Sequence, residues 1–250
     1  MKTLSLFVSF AIAILSLPVG AFAEDNFAAQ IKSITDDHKA KMAAFSEKVR
    51  SLPRAEQGQF YQTGYPSAEE PVTSIKMIIF RNPKDPAVID AVNWVLRNGR
   101  RNANGGVDPY LLKVLEEHHL NDDGLVETAA TLGFSSDDES RRFLKTLMEK
   151  STVSEVRGMA LYSYAATIQR DETKTDEYVM ALEKLIKEYP GLQMRGRDVI
   201  ELAKGKLFAA KSLGIGHEAP EIIGKDVDGK EMKLSDYRGK IVVIDFWGDW

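Results

Sequence analysis

The chain has 250 residues, which is room for one large domain or two domains of ordinary size. Its residues are 44% hydrophobic and 28% charged, as expected of a globular protein with a buried core. The formal net charge of −4, with no basic tract longer than a pair, argues against nucleic acid as the main partner. No cysteine is present, which excludes disulfides, thiolate metal sites and a thiol nucleophile within these residues.

Residues 1–23 have the three parts of a secretory signal peptide. Lys2 supplies a positive charge, residues 4–17 form an apolar run, and Ala21-Phe22-Ala23 fits the small-x-small cleavage rule. Because the apolar run is shorter than the roughly 20 residues that span a bilayer, we expect cleavage after Ala23 and not a retained signal anchor. The sequence therefore predicts a periplasmic or secreted protein with no stable membrane span, in a compartment where disulfide chemistry is available.

Apolar residues at helical spacing fill most of residues 24–213, which we predict to form an all-helical domain. Steps of three and four residues form one stripe from Phe27 to Val49, and His38 lies on this stripe as a packed or boundary residue. Residues 51–76 contain three prolines and two glycines and are predicted to be a loop.

Capping residues indicate where several later helices begin and end. Asp85-Pro86 and Asp108-Pro109 each predict a helix start, because aspartate accepts exposed backbone N–H groups and proline suits the first helical position. Asn98-Gly99 is predicted to end the first of these helices. Residues Ser136-Asp137-Asp138-Glu139 have the pattern of a capping box before the helix that contains Phe143.

Three further helices are predicted before residue 214. Residues 156–168 are rich in glycine and alanine, which permits close packing, and residues 178–189 carry an apolar face that ends at Pro190-Gly191. The last helix is expected to stop at Gly214. The final two helices resemble the hairpins of tetratricopeptide-type arrays, although no complete repeat signature is present. Two alternatives stay open: a helical bundle, which we favour, and an array of hairpins with a protein-docking surface.

The helical part contains no pattern that indicates a metal or cofactor site, and we expect neither. Glu116-Glu117-His118-His119 contains ligand-type residues, but adjacent side chains on a helix point about 100° apart. Asn121-Asp122-Asp123-Gly124 lacks the spacing of a calcium loop and predicts a turn.

After Gly214 the pattern changes from helix to strand. Residues 221–227 and 230–234 predict two strands joined by a hairpin turn at Asp228-Gly229. Residues 241–244 form a continuous β-branched run, which predicts a strand buried on both faces. Such a strand needs neighbours that these residues do not supply, so we expect the chain to be the front part of a longer protein.

Several blocks of residues 216–250, in order, resemble the start of a thioredoxin-fold domain. The blocks are Gly216–Ile222, Asp228-Gly229-Lys230, Leu234–Lys240 and Val242–Trp250. The resemblance is strongest to the exported TlpA-like thiol-disulfide oxidoreductases, within the wider redoxin (AhpC/TSA) group that includes peroxiredoxins. It implies a Cys-x-x-Cys pair directly after Trp250, and protein dithiols or disulfides as partners.

The resemblance also implies roles for residues of this chain. Asp245 matches the buried acid beneath the second cysteine, where a carboxylate can accept a proton during disulfide exchange. The alternative is a strand-end aspartate satisfied by backbone groups. Trp250 matches the aromatic residue that flanks the nucleophile, whereas Trp247 matches a tryptophan packed beneath the active-site loop. In that family the nucleophilic cysteine opens a helix, where the dipole and unpaired amides favour its thiolate.

The predicted fold class is α + α/β. A helical domain, as a bundle or as tetratricopeptide-like hairpins, is followed over residues 214–250 by the first hairpin and strand of an incomplete thioredoxin-like domain. The predicted function is that of the N-terminal portion of an exported thiol-disulfide oxidoreductase, inactive as given because both redox cysteines are missing. Two alternatives stay open: a peroxiredoxin-like thiol peroxidase, and a non-enzymatic exported helical interaction module whose C-terminal segment is vestigial.

Overall fold

A computed structural model describes residues 26–99, 106–214 and 216–248. The signal peptide predicted for residues 1–23, with its cleavage site, lies outside the described residues, as does Trp250. Within the described ranges, the structure contains no helix with both the length and the apolar character needed to cross a membrane.

Ten α-helices and two short antiparallel hairpins form in the described ranges. The helices are α1 (Phe27–Ser51), α2 (Arg54–Gly64), α3 (Glu69–Arg81), α4 (Ala87–Asn98), α5 (Pro109–His118), α6 (Leu125–Leu132), α7 (Asp138–Lys150), α8 (Ser154–Ile168), α9 (Thr175–Glu188) and α10 (Val199–Ser212). The strands are β1 (Gln193–Met194), β2 (Arg197–Asp198), β3 (Ile223–Lys225) and β4 (Glu231–Lys233), and 3-10 turns lie at Glu172–Lys174 and Leu234–Tyr237.

The predicted aspartate cap is confirmed at α5, whereas at α4 the capping position is Pro86 and Asp85 lies one residue before it. Asp85 Oδ1 accepts a 2.8 Å hydrogen bond from the amide of Ala87, where α4 begins. Asp108 Oδ1 accepts one of 3.0 Å from the amide of Tyr110 in the first turn of α5. At the other end of α4 the amide of Gly99 donates to the carbonyl of Val95 at 2.7 Å, as predicted for the end of this helix. These helix ends follow from local side-chain chemistry.

The loop predicted for residues 51–76 is wrong, because this range contains α2 and the first part of α3. Its prolines do not interrupt the helices: Pro53 stands just before α2 and Pro71 lies in the first turn of α3, where no amide donor is needed. Packing against α1 also stabilises α2. The ring of Phe45 on α1 stacks on that of Phe60 on α2, with centroids 5.3 Å apart. Tertiary packing therefore stabilises a helix that local propensity did not favour.

Three other local features differ from the prediction. The cap of α7 is Asp137 and not Ser136, since Asp137 Oδ1 accepts from the amide of Ser140 at 3.0 Å. Helix α6 was not predicted. The β1–β2 hairpin was also not predicted, and it turns through Arg195 and Gly196, both with positive φ. Its Arg-Gly turn is a weaker sequence signal than Asn-Gly.

The core lies among consecutive helices that pack pairwise. Helix α8 packs against α6, α7 and α9; α9 packs against α10; and α4 packs against α6 and α3. Among the described residues, every buried apolar side chain lies between Ile31 and Ala203. His38 is buried with its ring edge-on to Trp94, at a centroid distance of 5.3 Å, which confirms that it is a packed residue. The fold is α-rich, while a domain boundary near residue 213 stays a prediction.

Candidate functional site

The β3–β4 hairpin, which was predicted, is closed by Asp226. Strand β3 pairs antiparallel with β4 in the register Ile223 to Lys233. Asp226 Oδ1 accepts from the amides of Asp228 and Lys230, at 3.0 and 2.9 Å. Gly229 has φ of +80°, which suits glycine because it has no β-carbon. The turn chemistry read from Asp228-Gly229 is therefore confirmed.

Glu221 fastens the hairpin to the 3-10 turn that follows it. Its Oε1 accepts hydrogen bonds from the amides of Ser235, at 3.0 Å, and Ile222, at 3.2 Å. The side-chain hydrogen bond with Ser235, followed by backbone hydrogen bonds, holds the pKa of the Glu221 carboxyl below its usual value. The amide of Leu234 also donates to the carbonyl of Ile222 at 2.9 Å. Sequence reasoning did not single out Glu221, because its partner lies fourteen residues further along the chain.

Residues 216–248, which contain β3 and β4 and are called the hairpin segment below, lie against the end of α10. Phe208 and Ser212 of α10 face Pro220, Leu234 and Val242 across an open cavity of about 690 Å³. In the connection, His217 Nδ1 lies 2.7 Å from the carbonyl oxygen of Lys211, one of the carbonyls that the end of a helix leaves without an intrahelical partner. Arg238 and Glu218 form an ion pair at 2.8 Å.

The strand predicted at Ile241–Ile244 is not formed, because no described segment pairs with residues 241–248. Exposure nevertheless alternates along this stretch: Ile241 and Val243 are 98% and 90% exposed, whereas Val242 and Ile244 are 42% and 45% exposed. Such alternation is typical of an extended segment with one face partly covered. The uncovered face is strongly apolar, which is unusual for a surface exposed to water.

Asp245 lies two residues after Val243, but the alternation ends there, because Phe246 is 84% exposed. Asp245 is exposed and makes no hydrogen bond to another described residue. Trp247 is 83% exposed. Trp250 lies outside the described residues. The structure thus brings no second functional group to Asp245, and the roles of Asp245 and Trp250 stay predictions.

No group of three or more metal-ligating side chains occurs in the part of the chain that the structure describes.

Short stretches of known proteins are similar to this chain. Matches to proteins named thiol-disulfide oxidoreductase ResA are 39% identical over 49 residues in Bacillus thuringiensis subsp. konkukian, 44% over 39 residues in Geobacillus thermodenitrificans and 44% over 45 residues in Bacillus subtilis. These relatives are thiol-disulfide oxidoreductases. The matches cover 20%, 16% and 18% of this chain and 28%, 22% and 25% of the relatives, so each spans about a quarter of the relative's length. No protein-family model matches the chain, and no solved structure matches it.

These matches support a relationship to the thioredoxin-like redox proteins. The chain itself contains no cysteine, so it lacks the thiols that disulfide exchange requires.

Proposed function

We propose that this chain is the N-terminal portion of an exported thiol-disulfide oxidoreductase of the TlpA-like type, whose Cys-x-x-Cys pair follows Trp250. The observation that carries the proposal is the ordered set of sequence blocks in residues 216–250. The matches to three thiol-disulfide oxidoreductases support it as well. The β3–β4 hairpin adds support, because it forms where the resemblance implies the first hairpin of the domain. Export is inferred from the signal-peptide pattern of residues 1–23.

The proposed chemistry is a two-step thiol-disulfide exchange. In the reductive direction, the first cysteine thiolate attacks one sulfur of a partner's disulfide, which forms a mixed disulfide and releases the partner's other sulfur as a thiolate. The second cysteine then loses its proton and attacks the mixed disulfide. The partner leaves reduced by two electrons, and the cysteine pair is left as a disulfide. Asp245 is proposed to accept the proton of the second cysteine.

The exposed apolar face around Ile241 and Val243 supports this proposal. A strand with two apolar faces is typical of the centre of a sheet covered by helices. Covering this face with a cysteine-bearing helix would bury apolar surface, and it would desolvate Asp245 next to the thiol from which a proton must leave.

The experiment begins with the nucleotide sequence downstream of codon 250. A Cys-x-x-Cys pair within the next few codons supports the dithiol enzyme, whereas a lone cysteine in a Pro-x-x-x-Thr/Ser-x-x-Cys setting would favour a thiol peroxidase. The protein that includes those residues should then reduce insulin in the presence of dithiothreitol faster than dithiothreitol alone. The 250-residue chain is the matched control and should give only the background rate. An open reading frame with no cysteine would overturn the proposal.

A further inference from the structure

An open groove of about 610 Å³ lies in the helical part, between α6, α8 and α10. Its volume falls within the range of about 300–1,000 Å³ found for ligand pockets. The residues that matter for its chemistry are Gly133, Tyr162, Ser163, Gln169, Arg170 and Lys206. They come from alternate helices or the turns after them, so the groove crosses several elements.

The groove carries positive charge without a matching negative charge. Arg170 and Lys206 line it, and no aspartate or glutamate does. Lys206 Nζ donates to the neutral Gln169 Oε1 at 2.9 Å, and Arg170 forms no ion pair with any described residue. By contrast, Lys204 on the same helix pairs with Glu201 at 2.6 Å. The two groove cations are therefore available to an external anion.

Nearby acids do not neutralise these cations, because their carboxylates have other partners. Asp171 Oδ1 accepts from the amide and hydroxyl of Thr173, at 3.1 and 2.6 Å. The carboxylate of Asp137 accepts from the hydroxyls of Ser135, at 2.5 Å, and Ser140, at 2.7 Å. Both acids act as local caps and lie outside the groove lining.

A serine hydroxyl also faces the groove. Ser163 is only 2% exposed and lines the groove, yet its hydroxyl makes no hydrogen bond within the described ranges. Gly133 crowds it on one side, since a β-carbon at residue 133 would lie 3.1 Å from Ser163 Oγ. A ligand that reaches Ser163 from the groove can therefore exchange a hydrogen bond with its hydroxyl.

We propose that the α6–α8–α10 groove binds an extended acidic peptide segment of a partner protein. Carboxylates of the peptide pair with Arg170 and Lys206, and its backbone bonds with Ser163 and Tyr162. A peptide fits better than a compact ligand because the groove is open along the surface and spans three helices. Phe134, 80% exposed at its edge, adds an apolar surface for a peptide side chain. This inference concerns the helical part alone and does not depend on the proposed redox function.

The test uses the full 250-residue chain and a fluorescein-labelled peptide of alternating glutamate and serine, with binding followed by fluorescence anisotropy. The expected result is saturable binding that weakens with added salt, because exposed charges are screened. A lysine–serine peptide of the same length should not bind. Replacing both cations, as Arg170→Gln with Lys206→Gln, should weaken binding about tenfold for each charge removed.

Three comparisons make the result decisive. A double variant outside the groove, Arg54→Gln with Lys187→Gln, removes the same charges and should bind like the parent. Ser163→Ala should weaken binding while leaving the circular dichroism spectrum unchanged. Equal affinity of the groove variant and its control would overturn the proposal. So would displacement of the peptide by equimolar malonate, which would reassign the groove to small dicarboxylates.

Discussion

Gly158 of α8 lies directly against the ring of Tyr189, the residue that follows α9. A β-carbon at residue 158 would stand 2.8 Å from Tyr189 Cδ1 and 3.2 Å from Leu192 Cδ2. The small residues of this helix therefore permit the close packing that the sequence predicted. We expect Gly158→Ala to lower the free energy of unfolding by about 1–3 kcal/mol, because the added methyl overpacks the helix contact. Urea denaturation followed by circular dichroism measures the change.

Gly205 provides the matched control, since it lies within α10 with no atom near the position of an added β-carbon. Gly205→Ala should stabilise the protein by about 0.5–1 kcal/mol, because alanine loses less backbone entropy in a helix. If both substitutions stabilised the protein equally, the tight contact at Gly158 would be contradicted.

How well the sequence predicted each feature depended on how local its cause is. The starts of α4 and α5 were found because Asp85 and Asp108 bond amides two residues away. Helix α2 was missed because part of its stabilisation comes from Phe60 stacking on Phe45 of another helix. The groove was missed for the same reason: no sequence pattern links Arg170, which follows α8, to Lys206 of α10, and the two line one groove only in the folded chain.

A buried hydrogen bond joins α6 to α4 and gives a second prediction. Thr128 Oγ1 donates to Asn93 Oδ1 at 2.8 Å, and both residues are buried. Thr128→Val keeps the shape of the side chain but leaves the Asn93 oxygen without this donor, so we expect a loss of about 1–3 kcal/mol in the free energy of unfolding. Thr131→Val on the same helix is the control. Thr131 is less buried and bonds a helix carbonyl, so its replacement should cost less.

The cap of α7 predicts an acid-sensitive contribution to stability. Burial raises the pKa of the Asp137 carboxyl, but hydrogen bonds from Ser135 and Ser140 outweigh it and hold the pKa below its usual value. The stabilisation is then fully present above the unfolded-state pKa and is lost as the pH falls through the lower folded-state pKa. Asp137→Ala should therefore cost about 0.5–2 kcal/mol near neutral pH.

The difference between parent and Asp137→Ala should shrink as the pH is lowered from about 5 to about 2. Thermal melts at several pH values measure it. Asp176→Ala, at the start of α9, removes an exposed acid with no hydrogen-bond partner in the described structure and should show a smaller difference. A cap effect that stayed constant down to the lowest pH would contradict the role of the ionised carboxylate.

The distribution of the core predicts that the helical part folds without the hairpin segment. Every described buried apolar residue precedes residue 204, and the segment after Gly214 meets α10 mainly around Phe208 and Ser212. Residues 24–214 alone should therefore keep their helical circular dichroism and melt cooperatively at nearly the temperature of the whole chain. A non-cooperative melt would contradict this, because it would mean that contact with the hairpin segment contributes to the stability of the helical part.

The last prediction concerns Asp245 and rests on the proposed redox function. Asp245 lies two residues after Val243, next to the exposed apolar surface that Ile241 and Val243 form. If a cysteine-bearing helix covers this face in the complete protein, the carboxylate lies in an apolar setting next to the second thiol and can take up its proton. Asp245→Asn keeps the size of the side chain but removes the proton acceptor. We therefore expect it to slow disulfide exchange and leave the melting temperature nearly unchanged.

The measurement is the insulin-reduction rate of the complete protein between about pH 6 and about pH 9, since a lost proton acceptor changes the pH profile as well as the rate. Asp228→Asn, at the exposed tip of the β3–β4 hairpin, is the matched control and should keep the parent's profile. A structural role for Asp245 would instead lower the melting temperature without reshaping the pH profile. If Asp245→Asn kept the parent's rate at every pH, the carboxylate would take no part in the exchange. Asp245 would then match the thioredoxin acid in sequence position but not in function.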